Sequence, residues 1–433
     1  MVGLVAKYQR YAEYKDSGVE WLGEIPHEWR TSQLKRVACF ITGMTPSTSV
    51  LAYYSDDISE YEWVRPEDIR ENVEFVQCTK YLTKLGWETQ RAIPSKSVLL
   101  CCIGTIGKAA YNSYPLTTNQ QITSVVLKNS SSKYYFYLLL AARTELEQMA
   151  TGNVVKILNS ERLGKLPIPV LSAQEAQKIA NFLDHETTKI DSLIEKQKQL
   201  IQLLKEKRQA VISHAVTKGL DPSVKMKDSG VEWLGEVPEH WKTLNLRWKI
   251  NIASGEGISS NEIESEPELL KGIPVIGGNG VMGFTNKINT RSALAIGRVG
   301  ALCGNIHLIN YESWITDNAL KISQWHDFDS GYLVFLLRAA RLNDMANKSA
   351  QPLITGEQVK SLRVVIPPIE EQKCIVSKIE DMFSTFDRLI EKAESAIQLM
   401  QERRTALISA AVTGKIDVRD WQNPTEAKME CSA

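Results

Sequence analysis

Between Ile375 and Ala410, apolar residues recur in alternating steps of four and three: Ile375, Ile379, Met382, Phe386, Leu389, Ala393, Ala396, Met400, Leu407 and Ala410. Arg403 is the one polar interruption. The spacing keeps a narrow apolar seam on one side of a helix and, sustained over about five heptads, predicts a coiled-coil partner. A second stretch follows the same frame at Ile179, Leu183, Ile190, Leu193, Leu200, Leu204 and Val211, interrupted at Glu186, Gln197 and Lys207. Lys207 aligns with Arg403, which places the matching interruptions near one end of a shared seam. Each series stops near a glycine, Gly219 or Gly414, where a left-handed residue is expected to close the helix. A helix buried in an ordinary bundle shows similar spacing. The likeness of "IEKQKQLIQLLKEKRQAVISHAVTKGLD" from Ile194 to "IEKAESAIQLMQERRTALISAAVTGKID" from Ile390 favours a shared seam.

The duplication extends beyond the helices. "KDSGVEWLGE" begins at Lys15 and again at Lys227, and the gapless match continues until Gly43 falls opposite Gly255. Each copy sets two tryptophans (Trp21 and Trp29; Trp233 and Trp241) around a glycine and a proline (Gly23 and Pro26; Gly235 and Pro238). The glycine and proline read as a turn that the large rings anchor. A strand-like run follows in each copy, "VACFITG" and "INIASG". Fainter matches link "CIGTIGKAAY" to "AIGRVGALCG", "LTTNQQI" to "ITDNALKI" and "YLLLAARTELEQMATG" to "FLLRAARLNDMANKSA". The organisation is a globular head, a long helix, a second head and a second long helix. The chain must return through the second head before starting the second helix, so the helices are expected to pair antiparallel. The repeated decapeptide would then anchor each head near the helix of the other half.

Composition narrows the class. At 433 residues the chain is long for one core, and 43% hydrophobic with 24% charged residues is ordinary for a globular protein. No apolar run reaches the roughly 18 residues needed to span a bilayer, and the start shows no signal-peptide pattern. Seven scattered cysteines, with no C-x-x-C pair, and six histidines without ligand spacing argue against a disulfide framework or a metal site. These features read as a cytoplasmic protein without membrane association. The formal net charge is zero, so any nucleic-acid face must be local.

Catalytic motifs are missing from the sequence. There is no Asn- or Asp-Pro-Pro-aromatic tetrad of an adenine methyltransferase. "GTIGKA" from Gly104 is too short for a phosphate-binding loop and ends in alanine. "VIGGNGVMG" from Val275 reads as a hairpin turn. Each helix of roughly 45 residues would be about 65 Å long. Two similar heads held apart by such a rod suit an extended, periodic partner, and duplex DNA with two half-sites is the obvious one.

On these residues the chain resembles the specificity subunits of type I restriction–modification systems. The residues that carry the resemblance are the doubled Trp/Gly/Pro segment, "ITGMTPS" from Ile41, "GTIGK" from Gly104, "TTNQQ" from Thr117, "ASGEGI" from Ala253, "IGRVG" from Ile296 and "TDN" from Thr316. The helix lead "IPPIEEQ" from Ile366 fits as well, while "PIPVLSAQEAQ" before the first helix is looser and leaves that start uncertain. The resemblance implies a mixed α/β fold with two target-recognition domains of small sheets and short helices, two long antiparallel helices and an internal pseudo-twofold repeat. The corresponding division is 1–170 and 220–366 for the recognition domains, 171–219 and 367–416 for the spacer helices, and a poorly ordered tail at 417–433. It also implies that each head reads half of a bipartite double-stranded DNA target and that the helices set the spacing and dock two modification subunits. Restriction/translocase subunits would complete the assembly. The S-adenosylmethionine-dependent methylation and the ATP- and magnesium-dependent cleavage would belong to partner chains, with no cofactor in this one.

Candidate DNA contacts follow from side-chain chemistry. Thr45, Ser47 and Thr48 could donate to phosphates or bases, although a polar turn around Pro46 looks the same. Asn119, Gln120 and Gln121 are amides of the kind that pair with adenine, or that tie a loop together. Lys108 and Arg298 lie in matching glycine loops. Ser259, Ser260, Asn261, Asn279 and Asn318 complete the set. A coiled-coil adaptor whose heads bind proteins is the alternative reading, and a self-contained enzyme is a third with no room for its catalytic domain. Only the DNA reading predicts polar, amide-rich and basic loops collected on one side of both heads.

Overall fold

The structure, a computed structural model, describes residues 8–70, 76–128, 131–267, 271–300, 303–346 and 352–423. Contacts divide the chain into two units, Met1–Gln197 with Glu394–Ala433, and Lys198–Ala393. Both boundaries fall within the long helices, so each unit holds one head, the start of one helix and the end of the other.

In the first unit, β1 (Ala38–Thr42), β3 (Val98–Cys101), β4 (Ala109–Tyr111) and β6 (Ile122–Leu127) form an antiparallel sheet in the order β1-β6-β3-β4. Beside it, β2 (Trp63–Val64) and β5 (Thr117–Thr118) make a short parallel ladder. The helix α1 (Ser132–Ala141) is apolar on nearly every side and is buried from Tyr134 to Leu139, as a core helix should be. In the second unit, β7 (Ile250–Ser254), β10 (Ala293–Gly297), β11 (Ile306–Ile309) and β13 (Ala319–Trp325) repeat the sheet as β7-β13-β10-β11. A parallel pair recurs between β8 (Ile273–Gly277) and β12 (Trp314–Ile315), with β9 (Gly280–Thr285) added by the predicted glycine hairpin. Helix α3 (Ser330–Ala339) takes the place of α1, its first amides capped by Asp329. The strand-like runs read from the sequence are β1 and β7.

The long helices are α2 (Ala173–Lys218, 46 residues) and α4 (Ile369–Val412, 44 residues). Gly219 (φ 76°) and Gly414 (φ 73°) close them in the left-handed region, as the sequence suggested. In the first unit Lys178 Nζ donates to the Arg419 carbonyl and Arg404 pairs with Asp191 at 2.9 Å, so the chain past α4 and α4 itself run antiparallel to α2. In the second, Arg208 pairs with Asp387 at 2.7 Å and lies over the Phe383 ring at 4.0 Å, while Gly219 approaches Glu371. The antiparallel sense holds within each unit.

Two expectations need correction here. The residue on the seam is Arg404, 6% exposed, and not the exposed Arg403; likewise Arg208 rather than Lys207 meets an acid. A straight helix drifts about 20° per heptad against a 3.5-residue repeat. After several heptads the buried stripe has moved on by one residue, and the fixed-frame reading lands one position early. The tail is also more ordered than expected up to residue 423. Val418 is buried, Trp421 packs on Phe182 at 5.7 Å and His185 at 5.4 Å, and Arg419 lies over Tyr11 at 4.7 Å. Residues 424–433 lie outside the described chain.

The repeated decapeptide forms a small hairpin, Tyr14–Asp16 with Glu24–Pro26 and Met226–Asp228 with Glu236–Pro238. The hairpin docks alike in both units. Trp29 and Trp241 are each 1% exposed and donate to Glu175 (3.0 Å) and Glu371 (3.1 Å) at the start of a long helix. The opposite side meets the end of the other long helix. Lys415 Nζ donates to the Glu24 carbonyl in the first unit, and Lys218 Nζ to the Glu236 carbonyl in the second. Tyr134 and Tyr332, both with burial holding the phenol far above its ordinary range, donate to the last-turn carbonyls of Val412 (3.0 Å) and Val216 (3.1 Å). The hairpin therefore anchors each head to the end of the helix from the other half, as its repetition suggested.

Candidate nucleic-acid interface

Strand ends define one rim on each head. In the first head β1, β2, β3 and β5 end where β6 begins, because Thr42 pairs with Thr123, Ile122 with Cys101 and Thr118 with Val64. The rim loop leaves β1 at Gly43, where a Cβ would lie 2.2 Å from the Thr118 carbonyl oxygen, so only glycine fits. Met44 N–H then donates to the same carbonyl at 2.8 Å. In the second head Gly255 stands at this place, where a Cβ would lie 2.1 Å from the Thr316 carbonyl oxygen, and Glu256 N–H donates to the Ile315 carbonyl at 3.0 Å.

The first rim gathers most of its predicted residues. The exposed Thr45 hydroxyl donates to Gln120 Oε1, linking the β1 loop to the β5–β6 turn. Asn119 is 7% exposed and bonded inside that turn, donating to Gln121 Oε1 at 2.9 Å and accepting from Gln121 N–H at 3.1 Å. It holds the turn, leaving Gln120 and Gln121 as the amides nearest solvent. Ser47 and Thr48 are exposed, with Ser47 bonded to Ser49 at 2.8 Å. Lys108 turns inward and donates to the Pro66 carbonyl at 3.0 Å, which commits one of its three N–H donors to the protein.

In the second head Arg298 and Asn318 are adjacent: Arg298 N–H donates to the Asn318 carbonyl (2.9 Å) and its guanidinium to the Ser254 hydroxyl (3.1 Å), while Nε is buried without a partner. The exposed Asn279 accepts from Asn305 at 3.0 Å. Ser259, Ser260 and Asn261 stand apart on a short capped turn, reached through the Lys287–Glu262 pair at 2.5 Å. Lys287 in turn lies over Trp314 at 5.9 Å.

Lys108 and Arg298 are not structural counterparts, although their loops match. Gly104 and Gly300, both with positive φ, donate to the Lys156 and Pro352 carbonyls. Gly107 and Gly304, also positive in φ, donate to Cys101 and Gly297. On that register Arg298 takes the place of Cys102, whose N–H meets Gln121 as Arg298's meets Asn318. "GTIGK" and "GRVG" look aligned as letters, but the left-handed positions fix the true register.

Sequence reasoning missed Trp63 and Trp314, each of which donates an indole N–H to its rim loop, at Met44 (3.0 Å) and Glu256 (3.1 Å). The available signal was an aromatic in a short strand, indistinguishable from core. Among the described residues no His/Cys/Asp/Glu group is placed to hold a metal, and no helix is long and apolar enough to cross a membrane.

Two duplicated α/β heads, each with a polar rim at the same strand ends, are thus joined to long helices. The comparisons give the family of this chain: residues 26–204 and 238–399 match the type I restriction modification DNA specificity domain, and the chain belongs to that family. It is 25% identical over 390 residues to the EcoprrI specificity subunit of Escherichia coli, covering 86% of this chain and 89% of that protein. It is 21% identical to the MjaIX specificity subunit of Methanocaldococcus jannaschii, covering 96% and 99%. In fold it is similar to a chain from a structure of a type I R-M system (TM-score 0.68, 14% identity, 90% of this chain and 98% of that one). It is also similar to the HsdS subunit from Thermoanaerobacter tengcongensis (TM-score 0.51, 15% identity, 90% and 98%). The mixed α/β fold expected from the repeats is the one observed.

Proposed function

We propose that this chain reads a bipartite DNA target, one half per head, as the specificity subunit of a type I restriction–modification assembly. The observation that carries this reading is the pair of equivalent rims, each built at the same strand ends, the first lined by exposed hydroxyls and amides such as Thr45 and Gln120 and the second by Arg298 with the exposed amides Asn279 and Asn318. A rim of that composition suits base edges, with Gln120 and Gln121 matched to adenine and Arg298 to guanine. Direct readout of this kind needs rigid positioning, which the Gly43 and Gly255 junctions supply.

The long helices would fix the gap between half-sites and dock two methyltransferase subunits. Those partners, with restriction/translocase subunits, would supply S-adenosylmethionine, ATP and magnesium chemistry, and this chain would be non-catalytic. Partner cations would also share the electrostatic grip on phosphate, which removes the objection raised by a net charge of zero.

Methylome sequencing of cells expressing the chain with its cognate modification subunit tests the reading. A new N6-methyladenine motif in two short specified parts around unspecified bases is expected. A stable complex with no new motif would point instead to a coiled-coil adaptor.

A further inference from the structure

The rim loops are tied down by tryptophans that do not correspond to one another. In the first head the parallel ladder pairs Trp63 of β2 with Thr117 of β5; in the second it pairs Val275 of β8 with Trp314 of β12. The ladders are equivalent, because Asn119 N–H donates to Val64 in one as Thr316 N–H donates to Ile276 in the other. The indole thus sits on the first strand of the pair in one head and on the second strand in the other. Paired residues of a parallel ladder point to the same face, so either strand can aim an indole at the same place.

Both indoles meet the same target. Trp63 Nε1 donates to the carbonyl of Met44, and Trp314 Nε1 to that of Glu256. Met44 and Glu256 each follow the glycine that starts the rim loop. A cationic side chain lies over each ring at 5.9 Å, Arg65 in the first head and Lys287 in the second. The first loop has a further tie, the Tyr54 hydroxyl donating to the Pro46 carbonyl at 2.7 Å with its ring edge-on to Trp63 at 6.0 Å. Simple inheritance from a duplicated head would leave the tryptophan on one strand. Reaching one bond from two strands means that the bond itself is what each head requires.

We infer that Trp63 and Trp314 are positioning residues for specificity, each fixing the course of its rim loop so that the loop's polar groups meet base edges in register. The inference rests on the DNA-reading function proposed above. Neither indole needs to touch DNA, and each acts only on the half-site of its own head. Phenylalanine at either position keeps most of the ring and deletes the N–H donor.

The test is methylome sequencing of cells expressing the cognate modification subunit with wild-type chain, Trp63→Phe or Trp314→Phe. Trp63→Phe is expected to raise methylation at near-cognate sites about fivefold, the factor set by one ordinary hydrogen bond, only for mismatches in the first head's half. Trp314→Phe should do so only in the other half. Trp248→Phe, an exposed indole at the opposite end of β7, serves as the unchanged control. The exchange Trp63→Val with Thr117→Trp, which writes the second head's arrangement into the first, should restore discrimination. A wild-type bipartite motif left unaltered by both phenylalanine variants would overturn the positioning role, and so would relaxation of both halves by either one. Absence of any bipartite motif in the wild type would overturn the underlying DNA reading with it.

Discussion

The two heads share a scaffold almost bond for bond and differ at their rims. Each uses a Trp–Glu hydrogen bond, a buried tyrosine on a helix-end carbonyl and a lysine on a hairpin carbonyl to grip the long helices. The last of these survives a change of order, Lys218–Gly219 against Gly414–Lys415, with both glycines still left-handed. At the rims the chemistry diverges. From Gly43 to Ala52 the first loop carries no acid, whereas the corresponding stretch from Gly255 to Glu264 holds Glu256, Glu262 and Glu264, paired with Lys321, Lys287 and Lys271. A shared grip with divergent rims fits the proposal that the two heads read different half-sites.

Substitutions at matching positions of the two units separate the shared contacts from the divergent ones. Trp29→Ala and Trp241→Ala each remove a fully buried indole and should cost about 3–5 kcal/mol of their unit's stability. Calorimetry should find the two losses similar; a loss in one unit alone would end the claim of a shared grip. Arg404→Ala should cost about 2 kcal/mol, because its side chain is 8% exposed and the loss strands Asp191. Arg208→Ala should cost less, about 1 kcal/mol, since that pair is 35% and 58% exposed and screened by solvent. Urea titration of both variants checks this order.

Gly414→Ala should destabilise by about 2 kcal/mol, combining left-handed strain with overlap on Pro26, 2.3 Å from the added carbon. Gly219→Ala meets the Trp241 ring at 3.3 Å, a tight contact that needs a few tenths of an ångström of give rather than the removal of an overlap, so a smaller loss of about 1 kcal/mol, mostly strain, is expected. Equal shifts in melting temperature would contradict the difference in packing. Tyr134→Phe and Tyr332→Phe should likewise each lose about 1 kcal/mol by leaving one helix-end carbonyl unmet, again measurable by denaturant titration.

The repeats made the scaffold legible, because grip residues such as Trp29 and Trp241 kept both identity and spacing. The helix ends were legible too, since only glycine fits them cheaply. The seam was read one residue early, as a fixed heptad cannot show the drift that brings Arg404 inward. The rims were partly legible. Thr45 and Gln120 stood out separately by their chemistry, but nothing in the letters shows that they meet, or separates the inward Lys108 from an outward lysine. Trp63 and Trp314 escaped because the match between the halves is lost at the ladder; only pairing shows that they do the same work from different strands.

Each rim is proposed to read its own half-site. The most direct test is the methylome of cells expressing the cognate modification subunit with a Gln120→Ala/Gln121→Ala chain, beside one expressing Arg298→Ala/Asn318→Ala. The first variant is expected to degrade one half of the methylated motif and the second the other half, with the unspecified gap unchanged. Loss of the same half in both variants, or a motif untouched by either, would contradict it.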